Sequence, residues 1–442
     1  MGLALSKFRP LDYSCYEMTH TWSPLCSAAA LDIGFACVLQ SLRIYTTVYA
    51  GTTVLKCRIP SRADLIKLVL SILQSTAFLS YNAFGFATAH CLVRQVLGFC
   101  NFWSLGLIPG WISSFLAIFV EKHSRRGMLA TYVTNVASES IYYSLRNNNI
   151  IDRKPYIDYL LFSISMSGYH YLNTTLETPS LDPALKLTRL LIQDSKSEKL
   201  ASKNLQEGHK HQQHDELDPD QQHDEFDPDQ RHAYLTSAIK ASFKHFLFGA
   251  GGQILLSLFN LIRKGRRSSG GWIDKTRIGF FLGSLTLLSR MSMFVLRKFS
   301  GSVEGWHGLV AGLISSPSYL IYRNNSIPLY AFWKLVEIVL RMSSKSGYLP
   351  KIPFATELIY ASSTAVLFHM GMLEPQSLRK SYVAFLDQVT GKKIGKVNRL
   401  LVDHEYKTNS SKTIQYKPIY QEAHISDQLK SLLPDVGTLK NM

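Results

Sequence analysis

Charge is scarce in this chain. Only 18% of its 442 residues are Asp, Glu, Lys or Arg, against 46% hydrophobic. The scarcity is also uneven, for Leu68–Val93 and Gln95–Val120 carry no charged side chain at all. A bilayer core of ~30 Å takes about 20 apolar residues in helix, so a soluble protein with buried helices is set aside for a multispanning membrane protein. Cysteine is sparse too: six residues, all within the first hundred. That is too few and too one-sided for a disulfide scaffold, and reduced thiols are expected. Residues 1–24 lack a continuous apolar stretch, so no secretory signal peptide is expected. Hydrolase, kinase and zincin motifs are missing. No catalytic residue, cofactor or metal is assigned.

What the chain does have is a phrase spelled twice. "GLIPGWISS" begins at Gly106 and "GLVAGLISS" at Gly308. Their surroundings correspond as well: Arg94 with Arg297, Tyr132 with Tyr330, Glu139 with Glu337. Such self-similarity indicates an internal duplication. Each half offers five apolar segments, near 28–50, 66–93, 103–120, 128–145 and 157–176, then 240–262, 276–296, 306–322, 328–342 and 356–373. The fourth of each set holds a central glutamate, Glu139 or Glu337, and reads as an amphipathic helix at the interface or against the bundle. Counting four crossings per half puts the basic loops around Lys56 and Arg277 on one face and leaves only Arg94, Arg297 and Lys298 in the short loops opposite. The expected fold is therefore all-α and polytopic: two tandem four-span repeats, about eight spans, each repeat with an extra amphipathic helix. The divisions are 1–27, an N-terminal interfacial segment; 28–176, the first repeat; 177–239, a disordered acidic His-rich linker; 240–375, the second repeat; and 376–442, a polar tail.

Lipid supplies no hydrophobic drive for helices to associate, so small residues that admit a neighbouring backbone must provide the attraction. Gly106 and Gly110, and likewise Gly308 and Gly312, place two glycines one turn apart. The two glycine helices are expected to cross at the repeat interface, as a packing surface or as a seam that opens for a substrate. Gly249, Gly251 and Gly252 are given the same packing role. Arg43 and Arg290 interrupt apolar spans and need partners or a route to the surface; Glu139, Glu304 and Glu337 are the candidates. Before the first span, "CYEMTHTWSPLC" brings Cys15, His20, Trp22 and Cys26. An ordered interfacial cap is the leading reading, with a metal site and a redox pair as alternatives, because three ligands at these spacings complete no four-ligand pattern. The tandem repeat His214–Arg231 with His209, His211 and His232 reads as a spacer. The net charge of +16 sits in membrane-facing loops and in the tail cluster Lys392, Lys393, Lys396 and Arg399, which favours anionic lipid headgroups over nucleic acid.

The stretches "CYEMTHTWSPLC", "LQSLRIY", "ILQSTAFLSYNA", "EKHSRRGMLATYVTNVASES", "GFFLGSLTLLSR" and "TELIYASSTAVLFHMGMLEPQSLRKSY" resemble the transmembrane protein 135 family, also called peroxisomal membrane protein 52. The C-terminal half is weakly similar to the mitochondrial inner-membrane translocase (Tim) family. The first resemblance implies a multi-pass protein of mitochondrion and peroxisome, linked to mitochondrial fission and fusion, peroxisome organisation and lipid metabolism. It implies no catalytic residues. The expected protein is a non-enzymatic regulator that recruits a soluble partner, such as the mitochondrial division dynamin, or organises lipids, with a homo-oligomer as a further expected assembly. The rival expectation is a transporter or translocase with a path between the repeats.

Overall fold

The computed structural model describes residues 10–55, 61–150, 156–176, 182–192, 228–264, 272–300, 304–324, 326–348, 350, 352–414 and 424–436. Among the described residues the chain is helical, apart from one antiparallel bridge between Leu11 and Cys100. Among the described residues, three stretches are long and apolar enough to cross a membrane. They lie in α2 (Cys26–Leu55), α3 (Arg62–Leu97) and α9 (Trp272–Ser300). Phe35, Leu39, Leu70 and Leu73 stand exposed on the first two, which suits hydrocarbon around helices whose backbone groups are satisfied internally. Local chemistry sets the ends of α3. Ser61 and Asp64 form a capping box at its start, and Gly98, at φ +81°, closes it in the left-handed conformation that glycine adopts without strain.

Two compact units divide the chain: residues 1–153 with 350–442, and residues 154–349. In unit 1, α2 packs on α3 and α3 on the short α4 (Leu107–Ala117), while α12 (Ala355–Leu373) packs against both α4 and α5 (His123–Asn147). In unit 2, α8 (Pro228–Lys264) packs on α9 and α9 on α10 (Gly305–Ser315); α6 (Tyr156–Thr175) packs against α10 and α11 (Ser326–Lys345). The sequence halves 28–176 and 240–375 thus each hand their last helix to the other's unit. The third apolar segments prove short. Both α4 and α10 are α-helical for 11 residues and then tighten into 3-10 turns, Ile118–Val120 and Ser316–Ile321. An 11-residue helix rises about 16 Å, well under the hydrocarbon thickness.

Part of the expected linker is ordered. Asp182 accepts from the Ala184 amide at the start of α7 (Pro183–Ile192) and forms ion pairs with Arg341 and, at 3.2 Å, Lys334. Leu185 and Leu191 enter a core with Phe162 and Phe281, so the apolar stripe of "PALKLTRLLI" has a surface to bury against, which overturns disorder over 182–192. Residues 228–239 likewise belong to α8. Residues 193–227, with His209, His211 and most of the tandem repeat, lie outside the described residues.

The tail is corrected as well. Residues 376–442 include α13 (Lys380–Val389), α14 (Arg399–Tyr406) and α15 (Asp427–Val436). Leu401 and Leu429 are fully buried in one core with Tyr13 and Met18 of the N-terminal segment. Asn398 Nδ2 donates to the Glu17 carbonyl, and Thr21 Oγ1 donates to the Lys396 carbonyl. Two members of the basic cluster are not at a headgroup surface: Lys393 is buried and pairs with Asp32 at 2.7 Å, and Arg399 is fully enclosed.

Candidate functional site

The glycine helices find their partners inside the units. A methyl group on Gly106 would lie 2.7 Å from the Cα of His369, and one on Gly110 3.1 Å from the Cα of Ala365. On α10, a methyl at Gly308 would lie 2.6 Å from the His170 carbonyl oxygen, and one at Gly312 would fall on the Ser167 backbone. So α4 seats on α12, and α10 on α6. The partner of each is the last helix of the other half, so each glycine pair is occupied by a neighbour within its own unit. Gly249 meets the Gly279 backbone at 2.9 Å, whereas Gly251 and Gly252 face open space and have no packing role. His170, fully buried on α6, bridges the Met166 carbonyl and Ser289 Oγ, a satisfied interior histidine.

The intramembrane charges are arranged differently from the expectation. Glu139 on α5 pairs with Arg379. Glu337 on α11 pairs with Lys334 at 2.9 Å and Arg341 at 3.6 Å, the two cations that also hold Asp182. Arg290 on α9 is buried and donates to the carbonyls of Leu191 and Leu190, which α7 leaves unsatisfied at its C-terminal end. Glu304 accepts from Trp306 Nε1. Arg43 is exposed on α2.

Unit 1 also contains a cavity of about 280 Å³. Its wall is mostly apolar, with Ile33, Phe78, Phe86, Val133, Phe368 and Leu386 among the lining groups. α2, α3, α5, α12 and α13 all contribute to it. Polar groups line it at several points, and one group of them lies together: His20, Trp22, Cys26, His90 and Cys91.

There the N-terminal segment folds back onto the membrane helices. Leu11 exchanges two 2.8 Å backbone hydrogen bonds with Cys100, and Arg94 Nε donates to the Tyr13 carbonyl. The Ser14–Glu17 capping box then starts α1 (Cys15–Met18). As a result Cys15, His20 and Cys26 come together with Cys91 of α3; one ligand atom from each lies within 4.8 Å of all the others. The three cysteines are free thiols. Hydrogen bonding from the Cys91 thiol, with His20 and His90 close by, holds the Cys15 thiol well below its ordinary range despite burial. The Trp22 ring meets His20 edge-on at 6.2 Å. Sequence reasoning found three members of this group and missed Cys91. The only available signal was its neighbour His90 in "AHCLV", with no second cysteine at a ligand spacing.

Residues 12–144 match the family described as the N-terminal cysteine-rich region of Transmembrane protein 135. That stretch contains Cys15, His20, Cys26 and Cys91. No solved structure matches the chain.

Proposed function

Because the chain belongs to the transmembrane protein 135 family, we propose that it is a non-enzymatic, multispan organelle-membrane protein that holds lipid in the unit 1 cavity. Through that occupancy it would couple lipid metabolism to mitochondrial division and peroxisome organisation, with a soluble partner such as the division dynamin as its output. The observation that carries this reading is the apolar cavity itself. An enclosed apolar space of ~150 Å³ suffices for benzene. The space in unit 1, about 280 Å³, accommodates several methylenes, each worth ~0.8 kcal/mol when buried. The closed glycine seams, where no side chain fits between α4 and α12 or between α10 and α6, support a holding protein over one that conducts along those helices.

The test is lipid extraction and mass spectrometry of the purified full chain. Wild type should carry bound lipid. Ala87→Trp, which fills the cavity from α3, should lose most of it and should fail to restore mitochondrial length in cells lacking the protein. Equal lipid in both proteins overturns the reading.

For topology we propose eight crossings, two four-crossing sets in one orientation, with α4 and α10 crossing together with their 3-10 continuations. Cysteine-accessibility labelling at positions 56 and 277 should then report the same face; opposite faces refute it.

A further inference from the structure

We propose that Cys15, Cys26, Cys91 and His20 together bind one zinc ion. This site stands apart from the lipid reading, since it needs no occupant in the cavity. Four ligand atoms within 4.8 Å of one another surround a point where a small cation fits. Zinc–sulfur bonds of about 2.3 Å and zinc–nitrogen bonds of about 2.0–2.1 Å put tetrahedral ligand atoms roughly 3.5–3.8 Å apart. The cluster therefore needs only a slight contraction to close.

The second observation comes from His20, which is 5% exposed. Its Nδ1 lies 2.8 Å from the Ser23 carbonyl oxygen, which can only accept, so the ring proton belongs on Nδ1. Nε2 is then a bare lone pair. It is buried and has no hydrogen-bond partner, a state that costs about 1–3 kcal/mol when left unsatisfied. A histidine whose outer nitrogen is fixed on a backbone carbonyl while the inner one faces a cluster of thiols has the arrangement of a metal ligand with its supporting hydrogen bond.

Ligand chemistry selects the ion. Three thiolates and one imidazole in a compact group match the closed Cys3His set of structural zinc sites. Oxygen-seeking magnesium and calcium are poorly served by sulfur. All four positions come from the protein, so none is left for a reacting water. The site is structural: it fastens the N-terminal segment to the first turn of α2 through Cys26 and to the end of α3 through Cys91. The fastened segment forms part of the cavity wall and of the core shared with the tail. A disulfide between two of the thiols is the competing chemistry, and it leaves both the third thiol and His20 Nε2 without a partner.

The test uses the full chain purified in detergent without added metal. Elemental analysis should find roughly one zinc per chain, and exchange into Co2+ should give the visible absorption of a tetrahedral cobalt–thiolate centre. Cys91→Ser and His20→Ala should each weaken zinc binding by more than the roughly 10–100-fold that changes outside the ligand set produce. Cys37→Ser and Cys100→Ser, buried thiols outside the cluster, should leave it intact. Metal-free wild type overturns the proposal, whether its thiols are free or disulfide-linked. So does full zinc retention in Cys91→Ser. The wild-type measurements stand even if a variant fails to fold.

Discussion

Gly312→Leu is expected to unfold unit 2, while Gly251→Leu in the same unit leaves it standing. The contrast isolates packing from helix propensity, because both glycines lie inside helices and both substitutions raise intrinsic helicity by up to ~1 kcal/mol. At Gly251 an added Cβ meets nothing within 4 Å. At Gly312 the first added carbon already collides with the Cα and N of Ser167, with the Met166 carbonyl carbon 2.7 Å away. These are backbone atoms and cannot rotate aside. The helices α10 and α6 must separate, and the His170 contacts and the Phe162–Tyr319 stack near the seam are strained with them. Overpacking commonly costs ~1–3 kcal/mol; a backbone collision belongs at or beyond the upper end. Thermal melting or limited proteolysis in detergent checks this, and equal stability of the two variants refutes it.

Arg399→Ala should be the most damaging change in the tail. The Arg399 side chain is fully buried, with its guanidinium donating to the carbonyls of Met372 at 2.9 Å, Gly371 at 3.0 Å and Ile394 at 3.3 Å. The first two are among the last carbonyls of α12, which have no partner within their own helix and carry the negative end of its dipole. Burial draws the Arg399 pKa down to about 10, with Asp403 opposing the shift, so the group stays charged at neutral pH. Truncation removes a cation from the end of α12, leaves those carbonyls buried, and opens a void where the fully buried side chain stood. A loss of several kcal/mol is expected, because each buried carbonyl left without its charged donor costs about 1–3 kcal/mol. Arg399→Lys should recover only part of it, because an ammonium cannot reach three divergent carbonyls as a planar guanidinium does. The readout is the melting temperature of unit 1 together with protease exposure of the tail. If Arg399→Ala melts like wild type, the tail is not part of the fold's stability.

How much of this was readable in advance depends on the range of the interaction. The apolar run Leu68–Val93 announced a membrane helix, because hydrocarbon contact depends on composition within one helix; the run Gln95–Val120 instead breaks between the end of α3 and the short α4. Gly106, Gly110, Gly308 and Gly312 announced close backbone approach, because glycine spacing encodes which face can be approached. They could not announce the partner. A bare backbone stripe is complementary to many helices, and the choice of α12 for α4 and α6 for α10 rests on the full surface each offers. The same limit hid Cys91: its co-ligands lie on a segment that must fold back across α3 before the four atoms meet. Arg399 and Lys393 misled for a related reason. A basic cluster beside a membrane protein's last apolar helix reads as a headgroup contact, and only the carbonyls of α12 and the carboxylate of Asp32 redirect it inward.

By itself, then, the sequence determined an all-helical membrane protein with glycine-lined helices, since hydropathy, helix capping and backbone access are written in neighbouring residues. Only the tertiary structure decided that the halves exchange their last helices, that the tail and N-terminal segment share a core, and that three thiols and an imidazole converge beside an apolar cavity. Those outcomes depend on shape and desolvation among residues hundreds of positions apart, which no local pattern records.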